Sequence, residues 1–518
     1  MKKHYIKILV FALCAVMLFA LSSCNKSIGK ADKDAAVSYN GSLMVTQGAY
    51  VYFVNGMTEQ TADNKNGDVV KGAIYRAKID GSGNISDVKA LVKQAYFTSY
   101  TGAGLYVFGE WLYYVTPNTA KDKNGTLLSD QTLVMRVKTD GTKSQKIATL
   151  KIAAGFTYKI TASSFYYLDG TDLKSIDLSK NNFKTKVIAE EVASFVVPKA
   201  SSYSPNGNPS IYDYVVYTKS ADEAKTGMTV NEVLATNGSD TKTLIGKSAY
   251  FNESSWENDI NNLRIFTVSS AAYDGTDLVV YTSRKSTGPA GEIEEGAFAY
   301  KFYESAGYAL NLDNVWHLAT TAPSSYQSLG FGRGILVSEN SAVNYYAGML
   351  EKESKNITKD KKINEPAFLP IKVFNAEANI LTLNQVGETQ YVMYFTPSTS
   401  NGALQKAKID LIGNEVDPYD ADEFRPLSDG HITVLVQSDV VVSWIAPFFR
   451  DYNGTQYCYF IYAKNYNYLY RASTETAEGV YISESKDGVN VFLIGVMNDA
   501  DKTTYDARIK AEEEAAAK

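Results

Sequence analysis

Along most of the chain, apolar residues come in short runs, either alternating with polar ones or bunched together, and Gly-, Asn- and Asp-rich stretches separate the runs. That patterning predicts strands, because amphipathic helices repeat their apolar positions every three to four residues. Two early segments line up almost residue for residue. The first reads Tyr50-Val51-Tyr52-Phe53-Val54, a polar loop with Lys65-Asn66-Gly67, then Ile74-Tyr75-Arg76-Ala77-Lys78-Ile79-Asp80-Gly81-Ser82. The second reads Trp111-Leu112-Tyr113-Tyr114-Val115, a loop with Lys123-Asn124-Gly125, then Val134-Met135-Arg136-Val137-Lys138-Thr139-Asp140-Gly141-Thr142. Each predicts strand, long connection, strand, tight turn, strand. Asp-Gly suits a type I′ turn, whose two central residues take positive φ. Ile74, Arg76 and Lys78 against Tyr75, Ala77 and Ile79 predict a strand with one buried face.

Weaker copies continue: Phe165–Leu168, Tyr214–Tyr217, Leu278–Tyr281, Val343–Tyr346, Tyr391–Phe395 with Leu404–Asp410, and Tyr457–Tyr462 with Tyr468–Ala472. The markers Phe53, Tyr114, Tyr167, Val216, Val280, Tyr346, Tyr394 and Phe460 are 48 to 66 residues apart. Three or four strands per unit at that period predict an all-β chain folded as a single β-propeller, since a small sheet buries both faces only by packing against neighbours. The markers predict seven or eight blades, or six if some units are insertions. Val491–Val496 is the expected strand completing the ring. A run of β-sandwiches is the competing architecture; it leaves the matched Lys-Asn-Gly and Asp-Gly positions unexplained.

These units resemble YWTD-type propeller repeats, in which an aromatic strand is followed by hydrophobic-x-Arg-Ala-x-hydrophobic-Asp-Gly-Ser. Ile74–Ser82 matches the second half of that pattern and Phe165–Asp169 the first. The chain is similar to bacterial lipoproteins carrying YWTD/LRP-like or TolB-like propellers. The likeness covers about half of the body, with residues 250–362 departing from it, and it brings no catalytic residues with it.

The length of 518 residues exceeds one ordinary core, and 45% hydrophobic with 21% charged residues is globular composition. The count of 38 Tyr against 3 His favours strands and disfavours a multi-His metal enzyme. The N-terminus reads as an address. Lys2, Lys3 and Lys7 precede an uncharged run from Ile8 to Ala20 that is too short to span a bilayer. Leu21-Ser22-Ser23-Cys24 then resembles the bacterial lipobox, whose Cys takes the lipid and becomes the new N-terminus. Residues 1–23 are thus the expected lipoprotein signal peptide and 24–40 the lipidated Cys24 with a flexible tether. Residues 41–498 are the expected propeller and 499–518 a polar helix or tail. Two or more acyl chains, palmitate among them, give stable anchoring. The expected location is extracytoplasmic, lipid-anchored to the bacterial cell membrane.

Loss of Cys14 with the signal and lipidation of Cys24 leave Cys458 alone, with no intramolecular disulfide. Net charge is −6, and −9 without the three signal lysines (48 basic against 57 acidic residues), which disfavours nucleic acid. A monomer is expected.

Candidate chemistry is sparse. His317 beside Trp316, and His431, are the mature histidines; no Gly-x-Ser-x-Gly elbow accompanies them. Gly330-Phe331-Gly332-Arg333-Gly334 mimics a phosphate loop without the strand-to-helix setting. Asp63–Asp68 and Asp122–Gly125 resemble calcium loops but read better as hairpin turns. Glu415, Asp417, Asp420, Asp422 and Glu423 form a weak Ca²⁺ candidate; otherwise no cofactor is expected. Trp256 and Tyr203, in polar loops, are candidate ligand contacts or packing anchors, and Trp316 and His317 are further candidate ligand contacts. Two classes follow: an envelope module binding a protein, peptide or glycan, or an exported propeller hydrolase or lyase acting on glycans through channel carboxylates and Tyr.

Overall fold

The computed structural model describes residues 33–61, 69–81, 85–98, 104–153, 156–198, 214–223, 228–246, 263–274, 276–287 and 293–311. Between 315 and 494 it describes the strand segments with a few flanking residues, and near the C-terminus Ala507, Lys510, Ala511 and Glu514. Strand pairing begins at Val37, inside the stretch expected as tether.

Among the described residues the strands form seven sheets: six of four or five strands and one of eight. Sheet one spans residues 37–98, sheet two 106–150, sheet three 158–189, sheet four 192–319, sheet five 327–374, sheet six 378–436 and sheet seven 440–494. Strands pair antiparallel within each, consecutively except in sheet seven, where Val440–Val441 and Phe448–Tyr452 both pair with Thr455–Tyr462. The exception to antiparallel pairing is one parallel bridge in sheet four, Val230↔Arg264, which joins a four-stranded half at 192–245 to another at 263–319.

Sheets pack face on face, and this explains the bunched apolar runs. In strand Trp111–Pro117 every residue after the first is buried. Leu112 and Tyr114 join the core shared with sheet one, while Tyr113 and Val115 join the core shared with sheet three. Tyr166 and its neighbours Phe165 and Tyr167 divide in the same way between sheets four and two. Tyr391, Met393 and Phe395 face sheet five, and Val392 and Tyr394 face sheet seven. A strand buried on both faces needs apolar residues at every position, at about 1.5–3 kcal/mol for each large side chain buried. The arrangement is an all-β propeller.

The ring closes between its two ends. Phe448, Tyr459 and Ile461 of sheet seven share one core with Leu43, Val51, Phe53 and Ile74 of sheet one. The Tyr39 ring meets Phe448 edge-on at 4.5 Å. Among the described residues no strand is exchanged between the two sheets, and the seam they share is a packed side-chain core. An N-terminal clasp ties sheet one to sheet two. Asn40 bonds both the N–H (2.7 Å) and the C=O (3.2 Å) of Val107, and Gly41 N–H donates to Leu105 O while Leu105 N–H donates to Ser42 O, both at 2.8 Å. Gly104 is required by this approach, because a Cβ there would lie 2.6 Å from the Gly41 carbonyl oxygen.

Four expectations change. First, the Asp140-Gly141 turn is not type I′. Gly141 N–H donates to Lys138 O and only Gly141 has positive φ (71°), so a four-residue turn ends on a left-handed Gly. Asp140 instead accepts bonds from Thr142 N–H and Oγ. Second, the polar face of Ile74–Ile79 is buried as far as Arg76, which is 0% exposed like Ile74 and Ala77 because it meets the next sheet; Lys78 alone stays exposed. Third, the long connection after Val54 is largely ladder. Strands Tyr50–Thr61 and Val69–Ile79 stay paired to Thr61↔Val69, and sheet four extends its hairpins likewise, to Glu223↔Met228 and Thr287↔Ile293. Fourth, Tyr346 marks the third strand of sheet five, whereas the other markers fall on the strand preceding it in their units.

The Asp122 turn is a hairpin turn as expected: Asp122 Oδ1 accepts from Asn124 and Thr126 N–H, and Gly125 has φ 83°. Val491–Ile494 pairs with Asn465–Ser473 as the outer strand of sheet seven. Asp63–Asp68 and Gly330–Gly334 lie outside the described residues.

Candidate functional site

In sheets one to three each unit has two ends, and at one of them the short turns between first and second and between third and fourth strands lie side by side. Ile79 N–H donates to Ala49 O, Thr139 N–H to Glu110 O and Leu178 N–H to Ser163 O. At the other end stand the second-to-third connections, extended as a paired hairpin in sheet one.

In sheets one to three the turn end is stitched by buried cations. Gln47 Nε2 donates to Gly109 O at 2.8 Å. Arg76 Nη1 donates to Thr139 O of the next sheet at 2.9 Å and lies 4.4 Å from the Tyr50 ring centre. Sixty residues on, Arg136 Nη1 donates to Leu178 O of the sheet after that at 3.3 Å. Its Nη2 donates to Asn181 Oδ1 (3.1 Å) and its Nε to Gln145 Oε1 (3.0 Å), between the Trp111 and Phe183 rings. By strand register Thr139 and Leu178 hold the same place in their turns. Burial pushes the hydroxyl of Tyr52 up, against the opposing pull of Arg76. These groups are consumed in holding sheets together.

The turn end of sheet four differs: it presents tyrosines. Asn237 Oδ1 accepts from Ser239 N–H (3.0 Å), Ser239 Oγ (2.9 Å) and Asp240 N–H (2.7 Å), a side-chain-locked turn that projects Asp240 outward. Tyr214, just before strand Val215–Glu223, donates to Asp240 Oδ2 at 2.7 Å, with Lys242 Nζ 3.2 Å from the same carboxylate. From the other half, the 3-10 turn Glu304–Ala306 leads into Gly307 and Tyr308, both left-handed (φ 64° and 62°). That backbone is costly for an aromatic residue; Tyr308 keeps it while its hydroxyl donates to Thr276 O at 3.1 Å. The Tyr214 and Tyr308 rings stand 6.4 Å apart at 55°. Beside them Asp277 Oδ1 accepts from Glu304 N–H at 3.1 Å, and Lys301 lies 3.5 Å from Asp277 and 5.1 Å from the exposed Tyr303 ring.

The two inclined rings pack partly against the core of sheet four, and the surface they leave exposed, with the neighbouring carboxylates, can meet C–H groups and hydroxyls. The Tyr214 hydroxyl is pushed up to about 12, first by desolvation and then by its bond to Asp240. Asp240 is held below the ordinary carboxylate range, chiefly by that donated bond and then by Lys242. The protonated Tyr214 therefore favours the fold fully below its ordinary pKa of 10.0, and that contribution is lost as pH rises through about 12. Above pH 10 the unfolding midpoint of wild type should fall more steeply than that of Tyr214→Phe; parallel curves would contradict this coupling.

The structure places Trp316 and His317 on strand Val315–Ala319, paired to Ala299 and Phe298. Cys24, Tyr203, Trp256, Asp417, Asp420, Asp422 and His431 lie outside the described residues; among the described residues no group of three metal-type side chains comes together. Sequence reasoning missed Tyr214, Asp240 and Tyr308. Tyr214 looks like another core tyrosine of an apolar strand; the available signal was Gly307-Tyr308, an aromatic after Gly in a polar stretch.

No protein-family model and no curated protein matches the chain. Solved structures similar to it include the β-propeller domain of the Trilobed protease from Pyrococcus furiosus, with 10% identity, 77% of this chain, 100% of that chain and a TM-score of 0.35. A puromycin-hydrolyzing peptidase from Mycobacterium tuberculosis gives 11%, 83%, 58% and 0.32. An oligogalacturonate lyase in complex with manganese gives 11%, 70%, 94% and 0.25. At these scores the fold assignment stands on this chain's own strand topology.

Proposed function

We propose that this chain is a lipid-anchored, extracytoplasmic propeller that binds a saccharide at its tyrosine site. The observation that carries the binding role is the Tyr214–Tyr308 pair with Asp240 and Asp277 beside it. Sugar rings present C–H faces to aromatic rings and hydroxyls to carboxylates, and this site supplies both. A carboxyl held low, as in Asp240, accepts hydrogen bonds near neutral pH and does not deliver protons, which favours binding over acid catalysis.

The anchor is Cys24, on the strength of Leu21-Ser22-Ser23-Cys24 after its basic and apolar segments. We read the ring as seven or eight blades, from seven sheets of which one divides into two four-stranded halves. The two halves of sheet four face each other across a shared core, Val216 and Val233 against Val280 and Phe298, as separate sheets do elsewhere, and a single bridge links them. The repeats belong with the YWTD/TolB-like kind.

The test is a glycan array, with a peptide array in parallel, using the chain from Asn25 onward. Tyr308→Ala should weaken binding to the glycan hits about tenfold, since one lost ring contact is worth ~1–1.5 kcal/mol. Unchanged binding to every hit would remove the site, and peptide hits without glycan hits would move the proposal to a peptide ligand.

A further inference from the structure

The two ends of the propeller are unlike, and the chain arrives at only one of them. Val37 pairs with Gln47 at the end of strand Met44–Gln47, Gly48 N–H donates to Ala36 O at 3.2 Å, and Ala35 packs against the Gly48 turn. Gly48 begins the first-to-second-strand turn of sheet one, and the next residue, Ala49, accepts from Ile79 beside the Asp80-Gly81 turn. Lys33 and Asp34, exposed, therefore leave from the turn end. Asp240 and Tyr308 lie at this same end, in the third-to-fourth-strand connections of the two halves of sheet four. The second-to-third-strand hairpins of sheets one and four extend from the opposite end.

Twelve residues lie between Cys24 and Val37. Fully extended they reach ~40 Å, and as a flexible coil ~20 Å. A tether so short, attached at one end of the ring, keeps that end towards the bilayer.

We infer that the turn end of the propeller is apposed to the lipid surface that holds its own anchor, with the extended hairpins facing outward. This rests on lipidation of Cys24. It brings the Tyr214–Tyr308 site within tether reach of the bilayer, so the saccharide it takes is one borne near that surface.

Sheet two carries a convenient pair of reporters, Lys143 in the turn between its third and fourth strands and Lys123 in the loop at its other end, both exposed. Cys458 is buried and burial pushes its thiol up, so it stays silent towards labelling. The lipidated full-length protein, as Lys143→Cys or Lys123→Cys, is labelled with a donor dye and reconstituted into phosphatidylethanolamine–phosphatidylglycerol vesicles containing an acceptor-labelled lipid. The labels are separated by ~25 Å along the strands, so transfer from position 143 should exceed that from 123 by about twofold or more. Equal or reversed transfer in protein that floats with vesicles would overturn the orientation and leave the anchor standing. Failure to float, or equal flotation of Cys24→Ser, would overturn both.

Discussion

Phe448→Ala is expected to cost about 3–5 kcal/mol and to open the ring at one place, the seam between sheets seven and one. Phe448 is 1% exposed, stands between the Tyr39 ring (4.5 Å) and the Tyr459 ring (5.5 Å), and belongs to the one core that joins the ends of the chain. No exchanged strand backs this core up among the described residues, so the cavity left by the ring falls in the packing that joins the two ends. Chemical denaturation gives the size of the effect. Hydrogen exchange gives its place: amides of Val51–Val54 and Tyr457–Ile461 should lose protection before those of Tyr113–Val115. A uniform loss around the ring would show that closure does not depend on this seam.

Arg76→Ala should cost about 3–4 kcal/mol, and Arg76→Met distinctly less. The alanine leaves the Thr139 carbonyl without its charged donor, removes the stacking on Tyr50, and opens space at a site with 0% exposure. Methionine refills much of that volume without a buried charge, and replacing a buried ion by a well-packed apolar group is often near neutral. Equal losses in the two variants would mean that charge and hydrogen bonding, not filling, set the cost. Arg136→Ala should behave alike at the next interface and add to Arg76→Ala, since the two bridge different pairs of sheets.

The repeated doublets and triplets of apolar residues carried the fold. Tyr113-Tyr114 and Tyr166-Tyr167 are consecutive core positions because their strands lie between two sheets, and no other soluble β arrangement uses so many strands in that way. The repeat also displayed Arg76 and Arg136 at matched positions, but a period-two reading puts an Arg on the wet face. Only the neighbouring sheet, with a carbonyl waiting at Thr139 or Leu178, makes a buried Arg stable. The aromatic residues that looked functional in polar loops, Trp256 and Tyr203, lie outside the described residues. The site that emerged uses Tyr214, which reads as one more core residue.

By itself the sequence determined the class of fold and its repeated units, and it supplies the motif on which the proposed anchor at Cys24 rests. These depend on local patterning: strand period, turn residues and a contiguous motif. Three things were decided only by the tertiary structure: that the first and last sheets share one packed core, that the described chain enters at its turn end, and that Tyr214, Asp240 and Tyr308 meet. The reason is physical. Which sheet a residue faces, and which turns from distant segments become neighbours, is fixed by the stacking of whole sheets, and stacking leaves no local trace at any single position.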